Sequence, residues 1–375
     1  MGFFLHERGP KPTLAILTVK DNNRVFRGNL DNFLDLIQTG EQLGVDVYVV
    51  TTNDFNLSSP QIFGYRFNPE IKKWSRELVP APQVVYNRIP YRKMEMQPEV
   101  QQTIQACNRS SSVQLFNPSF FNKWTLFSWL NSANESKPYM PDTKQLSSAN
   151  DLTQLLRKHA VLYLKPVKGK AGIGIMRIEQ ITTKNDHIQY RLSRQEDKKM
   201  VYSYHDSTDD LWNEWNRHRG SNDYIVQQGI ALTRYKKRAY DLRALIQKTS
   251  KGVWSVSGIG ARVAGKASIT THVPRGGSID EPLKLLSHGF GDKEAKNILK
   301  RVRKAAVILA KQIEKSAGNQ LGEMSMDIGV DTAGHIWFFE ANSKPMKFDE
   351  PKIRQKSLER IIRYSLYLIN HGRRR

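Results

Sequence analysis

The sequence predicts an α/β domain followed by a larger α+β region. Residues 12–50 read strand, helix, strand, the pattern of a parallel sheet. From about Phe116 onward the strand-like runs come in adjacent pairs, as antiparallel ladders do. The expected division is residues 1–118 and 119–375, with the second part split into 119–228 and 229–375.

In the first part, residues 14–19 form a short apolar run suited to a buried strand. Apolar residues at Leu30, Phe33, Leu34, Ile37 and Leu43 follow a helical stripe, and Gly44 ends it. Residues 45–50 and 83–87 supply two more strands, and residues 100–109 read as a helix end. In the second part, residues 120–130 and 151–159 read as helices. Strand pairs follow at 161–165 with 173–179, and 188–192 with 199–202, and a helix begins near Ser207. The last third predicts strands at 239–247 and 254–259, helices at 292–317 and 353–370, and a strand pair between those helices.

The chain has 375 residues, 39% hydrophobic and 25% charged, as for ordinary globular proteins. No apolar run reaches membrane-spanning length, and residues 1–10 lack a secretory signal's apolar core. A cytoplasmic protein is expected. The single cysteine, Cys107, excludes an intrachain disulfide and reads as a structural thiol. Lys and Arg number 58 against 36 Asp and Glu, a net charge of +22 that attracts anions. The basic residues are spread along the chain with no zinc or RNA-binding motif, so specific nucleic-acid binding is not expected.

The most informative segment is 323–342, EMSMDIGVDTAGHIWFFEAN. Asp331 to Gly334 is a turn by residue type. A four-residue loop sets Val330 against His335, Asp327 against Phe338, Ser325 against Glu340 and Glu323 against Asn342. Side chains alternate faces along a strand, so Asp327, Glu340 and Asn342 share one face. Asp327 and Glu340 become diagonal neighbours about 7–8 Å apart. The other face, with Met326, Ile328, Val330, Trp337 and Phe339, is expected to be core. Two carboxylates and an amide oxygen suit a hard cation such as Mg²⁺ that keeps positions for water and phosphate. The plain alternative is a half-exposed hairpin with a polar outer face.

Residues 163–177, YLKPVKGKAGIGIMR, hold Gly169, Gly172 and Gly174 among three lysines. The loop leaves into a strand, whereas a Walker loop or dinucleotide fingerprint leaves into a helix. A glycine-rich strand–loop–strand can fold over phosphates with its backbone amides as donors. Lys165 and Lys168 add positive charge. Taken alone, an ordinary flexible hairpin explains the loop as well.

In order along the chain, these features resemble the ATP-grasp superfamily, from about Phe120 to Met346. Asp327, Glu340 and Asn342 stand at the family's metal-ligand positions, and the glycine loop with Lys165, Lys168, Gly169, Gly172 and Gly174 resembles its phosphate-covering hairpin. Lys123, in FFNKWT, matches the upstream nucleotide-binding lysine. Gln227 and Gln228, in YIVQQGI, match the hinge that contacts adenine. Arg243, in YDLR, resembles the arginine that meets the phosphates or an acyl phosphate, and Arg275 is the second candidate for that role. The first domain would be the Rossmann-like domain that precedes an ATP-grasp domain. The segments YNRIP and PRGGS look most like the YheC/YheD group of endospore coat-associated proteins.

This resemblance implies an ATP- and Mg²⁺-binding protein with one or two metal ions, Mn²⁺ serving as a substitute. It implies a carboxylate–amine or carboxylate–thiol ligase acting through an acyl phosphate on an acidic carboxylate substrate, with a link to sporulation. The alternative is a catalytically silent, ATP-binding structural or assembly protein. Spore coat proteins would be the partners and the forming coat a site of association. One departure stands out. Thr271-His272-Val-Pro-Arg-Gly-Gly replaces the Thr-Asn arrangement of glutathione-synthetase-like and RimK-like ligases, so their substrates do not carry over.

Overall fold

The computed structural model describes residues 10–167, 173–196, 199–265 and 277–372. Its first layer contains β1 (Thr13–Thr18), α1 (Leu30–Gln42), β2 (Asp46–Thr51), β3 (Gln61–Asn68), β4 (Lys73–Pro80), β5 (Val84–Asn87), α2 (Arg92–Glu95), α3 (Pro98–Arg109) and β6 (Gln114–Phe116). Every residue of β1 is buried, as its unbroken apolar run requires. Gly44 follows α1 with φ +74°, a conformation that glycine adopts without Cβ strain. The strand order is β4-β3-β2-β1-β5-β6. The pairs β1/β2, β1/β5 and β5/β6 are parallel, as expected. The β3–β4 hairpin corrects the expectation of a purely parallel sheet, for it joins β2 antiparallel. It has a physical excuse for escaping notice: β4 is an edge strand with Val79 as its one buried residue, so it carries no apolar pattern. Cys107 is buried on α3, where burial pushes its thiol pKa up to about 12.

The second layer follows α4 (Lys123–Asn131). It comprises β7 (Thr143–Leu146), α5 (Ala149–Leu156), β8 (Val161–Pro166), β9 (Met176–Thr182), β10 (Ile188–Glu196), β11 (Lys199–His205), α6 (Thr208–His218) and β12 (Tyr224–Gln228). Its sheet, β11-β10-β9-β8-β12-β7, is antiparallel throughout. Ser207 caps α6, accepting a hydrogen bond from the Asp210 amide. Leu152, Leu156, Leu211 and Trp215 of the two helices pack on Leu162, Leu164, Ile178 and Val226. Alternation therefore sends Tyr163, Lys165 and Gln227 to the sheet's other face.

The third layer contains β13 (Arg234–Tyr235), β14 (Arg238–Lys248), β15 (Trp254–Val263), β16 (Ser278–Asp280), α7 (Pro282–Ala317), β17 (Glu323–Val330), β18 (Ile336–Asn342) and α8 (Pro351–His371). The order is β16-β15-β14-β17-β18, with β13 paired to β14. One face, with Leu242, Ala244, Met326 and Ile328, packs with Ile298, Val302 and Leu309 of α7 in the largest core. Helix α7 is interrupted at Gly291 (φ 74°, ψ 159°), just before the start expected from the sequence. Helix α8 returns to the first layer, where Ile361, Ile362, Tyr364 and Leu368 share a core with Leu14, Phe33 and Tyr86. Among the described residues no helix is long and apolar enough to cross a membrane.

Candidate functional site

The polar face of the third sheet forms the floor of a cleft. Across β17 and β18, Asp327 lies directly opposite Glu340, and Ser325 opposite Asn342. A bulge then shifts the ladder, so that Ile328 opposes Phe338 and Val330 opposes Ile336. This corrects the expected register, in which Asp327 faced Phe338. The loop is one residue longer than expected, because β18 begins at Ile336. Asp331 shapes that loop: its Oδ1 accepts from the Ala333 and His335 amides, each at 2.9 Å. The shared face of Asp327, Glu340 and Asn342 survives the shift, since the offset at Asp327 is even.

The bulge changes which aromatics are core. Phe338 is fully buried, whereas Trp337 and Phe339 are half-buried. Phe339 lines the cleft, and Trp337 Nε1 donates to Asp331 Oδ2 at 2.8 Å. A bulge adds one residue to one strand and so reverses the facing of those beyond it.

The next strands extend the floor. Arg243 on β14 stands directly opposite Asp327, and Asp241 opposite Arg262 on β15. Arg262 holds both Asp241 oxygens, Nε at 3.0 Å and Nη2 at 2.9 Å, and reaches Asp327 Oδ2 at 2.7 Å. Burial opposes its charge, yet Asp327 and Asp241 together raise its pKa above the ordinary arginine value. Arg243 does not line this cleft; its guanidinium carbon sits 5.1 Å from the centre of the Phe348 ring.

The second sheet supplies the facing wall. Lys165 Nζ donates to Gln227 Oε1 at 2.5 Å, and Gln227 Nε2 donates to Thr143 Oγ1 at 3.0 Å. Burial lowers the Lys165 pKa to about 8, against the pull of Glu340 and with help from Lys123. Lys123 opens α4, whose cap Asn122 accepts from the Thr125 amide, and its Nζ donates to Glu340 Oε1 at 3.1 Å. Gln228 Oε1 accepts from the Asp142 amide at 3.1 Å. Together these residues enclose about 730 Å³ of open space, with Tyr163, Ile175, Ile230, Leu232 and Phe339 as its apolar lining.

The structure thus brings Lys123, Lys165, Gln227, Gln228, Asp327 and Glu340 to one cleft. Asn342 is exposed and opens onto an adjoining cleft that shares Lys123 and Glu340. Gly174, at φ +74°, lets Tyr224 Oη donate to its carbonyl at 3.1 Å beside Pro166. Lys168, Gly169, Gly172 and Arg275 lie outside the described residues, as does His272. Sequence reasoning passed over Asp241, two residues before Arg243; its pairing with Arg262 depends on a β14–β15 register that no local motif announces.

A family model described as YheC/D like ATP-grasp matches residues 112–368, more than half of the chain. The chain belongs to this family. Endospore coat-associated protein YheD of Bacillus subtilis (strain 168) is 29% identical over 353 residues, covering 92% of this chain and 75% of that protein. Among solved structures, VanG D-Ala:D-Ser ligase from Enterococcus faecalis matches with TM-score 0.53 and 11% identity, covering 96% of this chain and 100% of that one. The ATP-grasp ligase PsnB, solved with a phosphomimetic variant of its minimal precursor, Mg and ADP, matches with TM-score 0.50 and 12% identity, over 96% and 100%. At such identities these structures share the ATP-grasp fold with this chain, whose first layer is the Rossmann-like domain that precedes it.

Proposed function

We propose that this ATP-grasp protein binds Mg²⁺-ATP between its second and third sheets and activates a carboxylate for attack by an amine or thiol. The observation that carries the reading is the direct opposition of Asp327 and Glu340 in a cleft that also holds Lys123 and Lys165. The donor chemistry fits the group. Two carboxylates with the Asn342 amide oxygen suit Mg²⁺ and leave coordination positions for phosphate oxygens. Among the described residues no cluster of three His, Cys, Asp or Glu side chains competes as a metal site.

Lys123 and Lys165 would hold phosphate oxygens as point charges. Gln227 and Gln228 would present polar groups to the base, with Tyr163, Ile230 and Phe339 as its apolar bed. Bound Mg²⁺-ATP supplies a transferable phosphoryl group that turns a carboxylate into an acyl phosphate. The chain's own part is to position, to balance charge and to exclude water, so it needs no covalent nucleophile. Arg262 deepens this reading, because its contact at 2.7 Å orients Asp327. Arg243 and Arg275 would stabilise the transferring group.

Calorimetric titration with Mg²⁺-ATP tests the proposal. The wild type is expected to bind, and the double variant Glu340→Gln, Asn342→Ala to lose binding while its circular dichroism stays unchanged. A folded wild type that does not bind Mg²⁺-ATP sinks the reading.

A further inference from the structure

The cleft onto which Asn342 opens has about 890 Å³ of open space. Besides Lys123 and Glu340, its wall includes Tyr91 and Arg92 at the start of α2, Phe120 and Phe121 before α4, and Val167 after β8. Tyr91 and Arg92 precede the segment matched by the family model, which begins at residue 112.

This wall is built rigidly from below. Glu95 is 2% exposed and accepts from the Phe120 amide at 2.8 Å, from Asn87 Nδ2 at 3.3 Å and from the buried Lys344 ammonium. Phe120 is therefore pinned to α2 and β5 through one carboxylate. Its ring lies 4.5 Å from Lys344 Nζ and 5.9 Å from the Arg92 guanidinium carbon. Arg92 donates from Nη2 to the Phe121 carbonyl, and a guanidinium has five N–H donors, so it can also serve a ligand. Tyr91 is 48% exposed.

Charge decides what fits. Among the described residues the charged groups lining the cleft are Arg92, Lys123 and Glu340, and Lys123 is hydrogen-bonded to Glu340. The described lining thus carries one positive charge beyond that pair, in a wall of three aromatic rings, a proline and a valine. Such a wall suits one carboxylate on an apolar body, and rings of this kind pack on ligand rings. A polyacid would bring more negative charge than the described lining pairs.

We infer that this second cleft receives the carboxylate substrate, and that the substrate is a monocarboxylic acid on a ring-bearing apolar body whose carboxylate meets Arg92. The inference rests on the ligase reading above. The test is calorimetry with 3-phenylpropionate and with glutarate, each added to full-length protein holding Mg²⁺ and a non-hydrolysable ATP analogue. The phenyl acid is expected to bind about tenfold or more tightly than glutarate. Arg92→Gln should weaken it by about tenfold or more, the usual loss when a charged hydrogen-bond donor is removed. Tyr91→Ala trims an exposed ring without touching the core and should weaken it severalfold, with nucleotide affinity unchanged in both variants. Equal binding of glutarate, or no effect of either variant while nucleotide still binds, overturns the inference and leaves the ligase reading standing. Failure of the wild type to bind nucleotide overturns both.

Discussion

Replacing Arg262 by methionine removes the guanidinium that bridges Asp241 and Asp327. All three side chains are at least nine-tenths buried, so solvent screens them little. Two unit charges about 4 Å apart attract by roughly 4 kcal/mol at an effective dielectric constant near 20. Arg262 makes two such pairs, and the cost of burying its charge offsets part of that gain. Losing both ion pairs from a buried site gives an expected destabilisation of about 3–5 kcal/mol. Urea unfolding followed by circular dichroism measures it. Millimolar Mg²⁺ should restore more stability to the variant than to the wild type, because in the variant the cation takes over the role of the guanidinium at Asp327. A loss below about 1 kcal/mol, with no extra response to Mg²⁺, would refute the reasoning.

Two further outcomes are expected. The Lys165 pKa is about 8 in the fold against 10.5 for an ordinary lysine, so the folded state releases this proton first. Its contribution to stability is therefore lowest below about pH 8 and grows as pH rises toward about 10.5. Phosphate binding needs the charged form. Mg²⁺-ATP affinity should stay level below about pH 8 and fall above it by at most about tenfold per unit, and Lys165→Arg should abolish the fall. Calorimetry between pH 6.5 and 9.5 checks this, and an affinity that rises with pH contradicts it. Gly174→Ala places a Cβ 2.9 Å from Pro166 Cγ on a backbone with φ +74°. It should cost about 1–2 kcal/mol in urea unfolding, and a loss below about 0.5 kcal/mol would show that the turn relaxes freely.

Much of this arrangement was legible in the sequence. The apolar runs of β1 and β2, the stripe of α1 and the turn at Asp331 each carry a local pattern that local physics reads. The grouping of Asp327 with Glu340 was legible too, because an even offset keeps two residues on one face whatever the detailed pairing. The bulge that moved Phe339 into the cleft was not legible. Nothing in IWFFEAN distinguishes which phenylalanine faces the core, and packing against Phe127 settles it for Phe338. Strand β4 was missed because solvent tolerates its Lys73, Arg76 and Glu77 at a sheet edge. The ion triad of Asp241, Arg262 and Asp327 joins residues 86 positions apart through two strand registers, which is tertiary information.

Helix α8 has a consequence for biosynthesis. Its Ile361, Ile362 and Leu368 complete the core begun by Leu14 and Phe33, so the first layer lacks part of its interior until α8 leaves the ribosome. At about 5–20 residues per second, the opening β-strands wait roughly 20–75 s for the helix that covers them. During that interval the nascent chain exposes the apolar surface of the first layer, and the second layer can fold before the first does.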